Sequence, residues 1–561
     1  MNEQRLPGFY HLIQEAVEVG TELRGGEGHR RTLGARGPYV KRGRRLGTIA
    51  GGVSFALLLL SCAALEPGKG DTAHGDSAMP SNDAFTLSAS EPLSCDSPVT
   101  NVSYTDAAAA WGLHGMTVPL TSGRSDGGGV AVDDLDGDGD LDVVLTYQGE
   151  EAIWIFLRDG DQFTGESVPA IDPYLPSLAD VDGDGQRDLL LGSSKPAIYL
   201  NVGGVLNEPI VLTEMARGEV RELAAADLDG DGDVDFFGTT SSRSEDDLSD
   251  SQDLLFWNDG GAFTIEPLPN PQAAAKSYDA VVFDADQDGD PDVYEANDAF
   301  GDWPGNSYYR NDAGVLVDAG EACTCALRFP AMGATSGDYN ADGWPDLYAA
   351  GEGRNYLLAG GADGTFVDVT QVLDADPTTS NFQMAWGGIF YDHDNDGYQD
   401  LAVASGDFAG WEAKGVGEQA LNLLRQTEGG FVDVSEAAGV PVSTYRALVT
   451  ADFNHDGVLD LLATHLEETP RLFLSDGCTA AGWFSVTAPV GSAVEIEAGG
   501  RTQYGAASTE SGYGAAQPPT VWFGLGDAQV VDRLTVRSPW GGETGVWTGL
   551  PARVAVVVEV R

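Results

Sequence analysis

Nine residues, DLDGDGDLD (Asp134 to Asp142), recur with small changes six more times. The later copies begin at Asp180, Asp227, Asp284, Asp338, Asp392 and Asp452, and all seven fit D-x-[DN]-x-D-G-x-x-D. Their first residues lie 46, 47, 57, 54, 54 and 60 positions apart. A recurrence at this period marks a repeat architecture, with one supersecondary unit per copy. Short apolar or alternating runs flank every copy: GVAVDD precedes the first, LDVVLTY follows it, and a third run such as AIWIFLRDG comes next. A fourth often follows a Gly turn, as in TFVDVT from Thr365 and GFVDVS from Gly430. Such runs read as β-strands. Four strands per unit, seven times over, predict an all-β chain: a seven-bladed β-propeller whose acidic loops join the first two strands of each blade.

The spacing explains the crowding of charge. Oxygens at positions 1, 3 and 5 of so tight a loop converge, and Gly at position 6 permits the turn. The carbonyl of position 7 and the Asp at position 9 close the shell. Without a cation these carboxylates repel one another. An oxygen-only donor set suits Ca²⁺ before Mg²⁺. The candidate ligands are Asp134, Asp136, Asp138 and Asp142; Asp180, Asp182, Asp184 and Asp188; Asp227, Asp229, Asp231 and Asp235; and Asp284, Asp286, Asp288 and Asp292. The last three loops supply Asp338, Asn340, Asp342 and Asp346; Asp392, Asp394, Asp396 and Asp400; and Asp452, Asn454, Asp456 and Asp460. The expectation is about seven Ca²⁺ sites, weaker where Asn340 and Asn454 replace a charge.

The loop resembles the first half of an EF-hand loop, without its closing Glu or flanking helices. Together with the L-D-[VL] strand, the Y-x-N-x-G turn and the F-x-D-V-[ST] strand, it resembles VCBS/FG-GAP repeats, the calcium-binding blades also found in integrin α-subunits. That resemblance spans roughly residues 100 to 478. Beyond it, alternating runs such as AVEIEAG and ARVAVVVEV predict a small β domain. The stretch RTQYGAASTESGYGAAQ and the following FGLGD resemble the ASPIC/UnbV domain, with the family's Pro-containing turn altered to SPWGG at Ser538 to Gly542. Chains with both parts resemble the cartilage acidic protein group. The resemblance implies a secreted or surface protein with a calcium-bound propeller, and brings no catalytic residues with it.

The seventh unit stops at RLFLSDG without a fourth strand, whereas VSYTDAAAAWGL, from Val102, parallels FVDVSEAAGV, from Phe431. The N-terminal strand is therefore expected to complete the last blade and remove exposed edges. Cys95 and Cys478 flank that joint and are expected to form a disulfide. Cys323 and Cys325 are too close for a relaxed bridge within an extended strand, which leaves a strained local disulfide, free thiols or a metal pair that lacks a partner motif. VKRGRRLGTIAGGVSFALLLLSC has a basic cluster, a short apolar run and a Leu-Leu-Ser-Cys end resembling a bacterial lipobox, with Cys62 as the lipidated residue. The expected organisation is an extension and signal over 1–62, a flexible tether over 63–93, the propeller over 94–478 and the β domain over 479–561.

A net charge of −58 leaves a large surplus even with a cation in every loop, which argues against nucleic acid as a partner. The chain lacks HExxH, Walker A and Rossmann signatures, and the one GxSxG match, around Ser125, precedes a strand in a Gly-rich run with no helix behind it. The leading expectation is an extracytoplasmic module, lipid-anchored or secreted, that binds a protein or glycan. The alternative is an extracytoplasmic enzyme acting on polysaccharide or carrying a site where propeller and β domain meet. Contact residues are expected around the central funnel, among Trp303, Tyr308, Tyr309, Phe382, Met384, Trp386, Tyr445 and Arg446.

Overall fold

Each acidic loop turns one extended run back on the next, and the result is seven antiparallel sheets of matching order. This is a computed structural model, and it describes residues 85–114, 128–147, 151–215, 218–242, 251–269, 275–299, 303–378, 383–406, 419–465 and 468–560. Cys62, Ser125 and Phe382 lie outside the described residues.

The innermost strands are Val130–Asp133, Pro176–Ala179, Gly218–Ala226, Ser277–Phe283, Ala331–Gly337, Ala385–Tyr391 and Tyr445–Ala451. Each contacts the next, and the seventh contacts the first, so the sheets run in a ring. They are numbered here as blades 1 to 7, with loops 1 to 7 at the turn after each innermost strand. The innermost strands of blades 3 to 7 are mostly small or β-branched residues buried along their length, as a strand covered on both faces must be. Apolar side chains of adjacent blades share cores, as Ala131 and Ile155 of blade 1 do with Leu189 and Tyr199 of blade 2. Blade 7 takes its outermost strand from the N-terminus: Tyr104–Asp106 pairs with Arg471–Ser475. Cys95 and Cys478 form a disulfide beside this joint, with Cα atoms 5.8 Å apart. Cys323 and Cys325 are also bonded to each other, both buried.

The remaining strands form two four-stranded sheets around one core that includes Phe484, Val494, Phe523 and Val556. The first sheet joins Gly482–Thr487, Thr520–Gly526 and Val554–Val560; the second joins Ala493–Ala498, Arg501–Ala506, Val530–Arg537 and Thr544–Pro551. The first sheet also holds Phe85–Ala89, paired antiparallel with Val554–Val560. The tether expected to reach residue 93 therefore gives way to a strand at Phe85, because FTLSA alternates and finds an open sheet edge.

This C-terminal sandwich sends a segment, Ser508–Gln517, into the propeller. Ala515–Ala516 pairs parallel with Val130–Ala131 of blade 1. The Val130 amide donates to Gly514 O at 2.8 Å, and Ser511 Oγ donates to Leu448 O of blade 7 at 3.1 Å. Glycine is required where the segment's backbone passes closest to the inner strands. A Cβ on Gly512, whose φ is +91°, would sit 2.9 Å from Gly388 O.

Candidate metal loops and the face they present

Position 6 of every loop is a glycine with φ between 84° and 101°. Position 4 is left-handed as well, held by glycine in loops 1 to 3 and by Gln287, Ala341, Asn395 and His455 in loops 4 to 7. The two turns fold the loop over its own carboxylates. In loop 1, Asp134 accepts amide N–H groups from Gly137 at 2.8 Å and Gly139 at 3.0 Å.

The Asp at position 9 has a second task that its spacing alone does not disclose. Asp142, Asp188, Asp235, Asp292, Asp346, Asp400 and Asp460 are all buried. In each, one carboxylate oxygen accepts the amide of position 2, from Leu135, Val181, Leu228, Ala285, Tyr339, His393 and Phe453 in turn. The other accepts an amide on the blade's third strand or, for Asn201, just beyond it, from Arg158, Asn201, Asn258, Asn311, Gly360, Gln426 and Ser475. The third strand then reaches the preceding blade. Asn201, Asn258 and Asn311 donate through Nδ2 to Leu135 O, Val181 O and Leu228 O. Across the closure Arg158 does the same, its Nη1 donating to Phe453 O of loop 7 at 3.0 Å.

In five loops three carboxylates offer oxygens within 4.8 Å of one another. These are Asp134, Asp136 and Asp142; Asp180, Asp182 and Asp188; Asp227, Asp229 and Asp231; Asp284, Asp286 and Asp292; and Asp392, Asp394 and Asp400. Asp138, Asp184, Asp288 and Asp396 at position 5, and Asp235 at position 9 of loop 3, stand outside these triads. Loops 5 and 7 place an amide at position 3, where Asn340 and Asn454 donate to Asp342 and Asp456 at 3.0 Å. Burial, reinforced by neighbouring Asp residues, pushes the carboxyls of Asp235, Asp284, Asp292, Asp338 and Asp452 up to about 7. Those of Asp142 and Asp188 rise to about 6 for the same reason. Converging anionic oxygens held by backbone N–H groups fit a hard divalent cation.

The C-terminal sandwich seats on these loops. Trp540 donates its indole N–H to Asp227 O of loop 3 at 2.8 Å and its amide to Gly289 O of loop 4 at 2.7 Å. Arg501 donates to Gly397 O and Asp396 O of loop 6 at 2.6 and 3.3 Å and lies over the Tyr398 ring. Trp522 donates to Asn395 Oδ1 at 2.8 Å and stacks on Trp483, which packs against Gly457 of loop 7. A cavity of about 660 Å³ separates the two parts here, with Asp133, Arg187, Thr450, Gln517 and Trp522 in its wall.

The central funnel, expected to gather ligand contacts, is filled by the inserted segment. Met384 and Trp386 pack with Tyr174, Tyr278, Met332 and Tyr513. Tyr308, Tyr309, Tyr445 and Arg446 are buried too. Aromatic and arginine side chains suit an interface, but here the interface is internal. Trp303 is half-buried beneath Lys276, 4.5 Å from its ring centre. Against the same segment Glu222, Asp279 and Glu510 form a buried carboxyl cluster that sequence reasoning did not anticipate. Ala225 donates to Glu510, Ala280 to Glu222, and Ala334 to Asp279.

Residues 134–191, 180–238, 227–295, 338–403 and 392–463 match the FG-GAP-like repeat family, and residues 485–560 match the ASPIC and UnbV family. Cartilage acidic protein 1 of Xenopus tropicalis is 22% identical over 331 residues, covering 54% of this chain and 49% of that protein. The Homo sapiens protein of that name is also 22% identical, with 54% and 48% covered. The chain thus spans about half the length of these curated relatives. Among solved structures, an Agrocybe aegerita lectin that recognises non-reducing terminal N-acetylglucosamine is 17% identical, with a TM-score of 0.37 over 61% of this chain and 86% of that one.

Proposed function

We propose that this chain, which belongs to the FG-GAP-like repeat family and carries an ASPIC and UnbV domain, is a calcium-loaded extracytoplasmic recognition module for a protein or glycan. The observation that carries the calcium reading is the convergence of oxygen-only donors in the repeated loops. All seven loops share the same glycine turn and the same buried Asp at position 9, so the reading extends to loops 5 and 7. The cations stiffen the scaffold and take no part in chemistry. The ligand surface lies outside the filled funnel, on the blade edges or the loops of the opposite mouth. The two disulfides favour an oxidising compartment. Attachment through a lipidated Cys62 remains part of the proposal. No described helix is long and apolar enough to cross a membrane.

The test exposes the full-length protein to a glycan array and a cell-surface extract, with calcium and with chelator. Selective retention that needs calcium supports the reading. An unchanged melting temperature in excess chelator refutes the calcium part, since a cation that binds only the folded state must raise it. The junction cavity favours a second reading, an enzyme acting there. Asp133, in its wall, is pushed up to about 6 by burial and lies 3.5 Å from Arg187 Nε. Turnover of a polysaccharide panel that Asp133→Asn abolishes would establish it.

A further inference from the structure

The acidic loops have two working sides. In loop 6 the carboxylates of Asp392, Asp394 and Asp400 converge on the loop's interior. Its backbone carbonyls at positions 4, 5 and 6 instead face the ASPIC and UnbV domain, accepting the Gly526 amide at 2.9 Å and two Arg501 donors. Loop 3 offers the carbonyl of position 1, and loop 4 that of position 6, both to Trp540. Among the described residues, no hydrogen bond from that domain reaches a carbonyl at position 7, the one a cation shell requires. The domain therefore grips the loops through other backbone acceptors, and Gly524, which lies against the Asp392 carboxylate, has no side chain with which to displace a cation. Loops 1 and 2 receive no described hydrogen bond from the domain.

We propose that Trp540 and Arg501 are positioning residues for the cation loops, so that domain docking and cation binding at loops 3, 4 and 6 form one linked equilibrium. This inference rests on the calcium reading above. In a cation-free loop the like charges push apart and carry the backbone with them. The acceptors for Trp540 and Arg501 then leave their places. Docking favours the cation-shaped loop, and such linkage is reciprocal: whatever the cation does for docking, docking does for cation affinity. The inserted segment Ser508–Gln517 belongs to the docked domain, so its seating in the channel follows the same equilibrium.

The experiment is peptide-resolved hydrogen exchange on the full-length protein, titrated with calcium, for the parent, Trp540→Ala, Arg501→Ala and Arg501→Lys. In Trp540→Ala the calcium midpoint of loops 3 and 4 is expected to rise at least about fivefold, the lower end of ordinary coupling. Arg501→Ala should do the same at loop 6, and Arg501→Lys should restore part of the loss. Loops 1 and 2 should keep the parent midpoint. Exchange in residues 508–517 should move with the affected loops. Equal shifts in all loops, as from general destabilisation, would overturn the proposal, as would no shift in any. If no loop in the parent responds to calcium, the calcium reading itself falls, and this inference with it.

Discussion

Replacing Tyr513 with Ala tests whether the inserted segment holds the ring together. The side chain is 1% exposed, its ring centre 5.0 Å from that of Trp386 and 6.4 Å from that of Tyr278. A buried aromatic removes ~150–250 Å² from water, which at ~25 cal/mol per Å² is ~4–6 kcal/mol as an upper estimate. Collapse cannot recover much of this, because the surrounding Tyr174, Tyr278, Met332, Met384 and Trp386 are themselves buried and the segment's backbone is already tight against blade 5, where a Cβ on Gly333 would lie 2.9 Å from Tyr513 N. Measured truncations of buried aromatics cost ~3–5 kcal/mol, and that is the expected loss. Urea denaturation at fixed calcium, followed by tryptophan fluorescence, reads it as a lower midpoint at unchanged slope. A loss under about 1 kcal/mol, the scale of an ordinary surface change, would refute the reasoning, because the segment would then merely occupy the channel.

Three further outcomes are expected. Folding pushes the Glu510 carboxyl up to about 8, through burial first and the charge of Asp279 next. An acid raised in this way stabilises fully below its unfolded pKa near 4.5 and loses that contribution as pH rises through about 8. The melting temperature at constant calcium should therefore fall across that interval, and Glu510→Gln should flatten the decline. In Gly524→Ala the new methyl would run into the Asp392 carboxylate and lie 2.7 Å from Asn395 Cα, pressing on both the candidate ligand and the backbone of loop 6 at a cost of about 1–3 kcal/mol, visible as faster exchange in residues 392–400. The Cys95→Ser, Cys478→Ser double variant removes a link across 383 residues and should lose roughly 2–5 kcal/mol by the same denaturation assay.

The propeller was legible because its loops repeat a chemical requirement at fixed spacing. Asp, Asp, Gly and Asp in register leave few other structures, and the missing strand after RLFLSDG pointed to Tyr104–Asp106. The inserted segment was not legible. STESGYGAAQ has neither strand alternation nor helical period, and its small residues are chosen by the width of a channel that exists only once seven blades have assembled. The same holds for Trp386 and Arg446: a sequence shows an anchor, but not that its partner is Tyr513 of the same chain or a buried ring. The spacing casts Asp at position 9 as a ligand alone. Its two backbone partners, one in its own loop and one a strand away, follow from three-dimensional pairing that a linear spacing does not contain. The carboxyl cluster around Glu510 was hidden for a related reason, since Glu222 and Asp279 belong to separate strand-like runs with no shared motif.

The pairing of Phe85–Ala89 with Val554–Val560, and of Tyr104–Asp106 with Arg471–Ser475, has a consequence in time. During synthesis the early strands emerge with no neighbours to pair with, and their partners arrive only after the first six blades have been made. Such distant pairings fold slowly, and unpaired edges are open to aggregation while they wait. A ribosome that stalls before residue 471 therefore releases a chain with both of its early strands unmatched. Nascent chains of this protein should depend on a holding chaperone until the final strand appears.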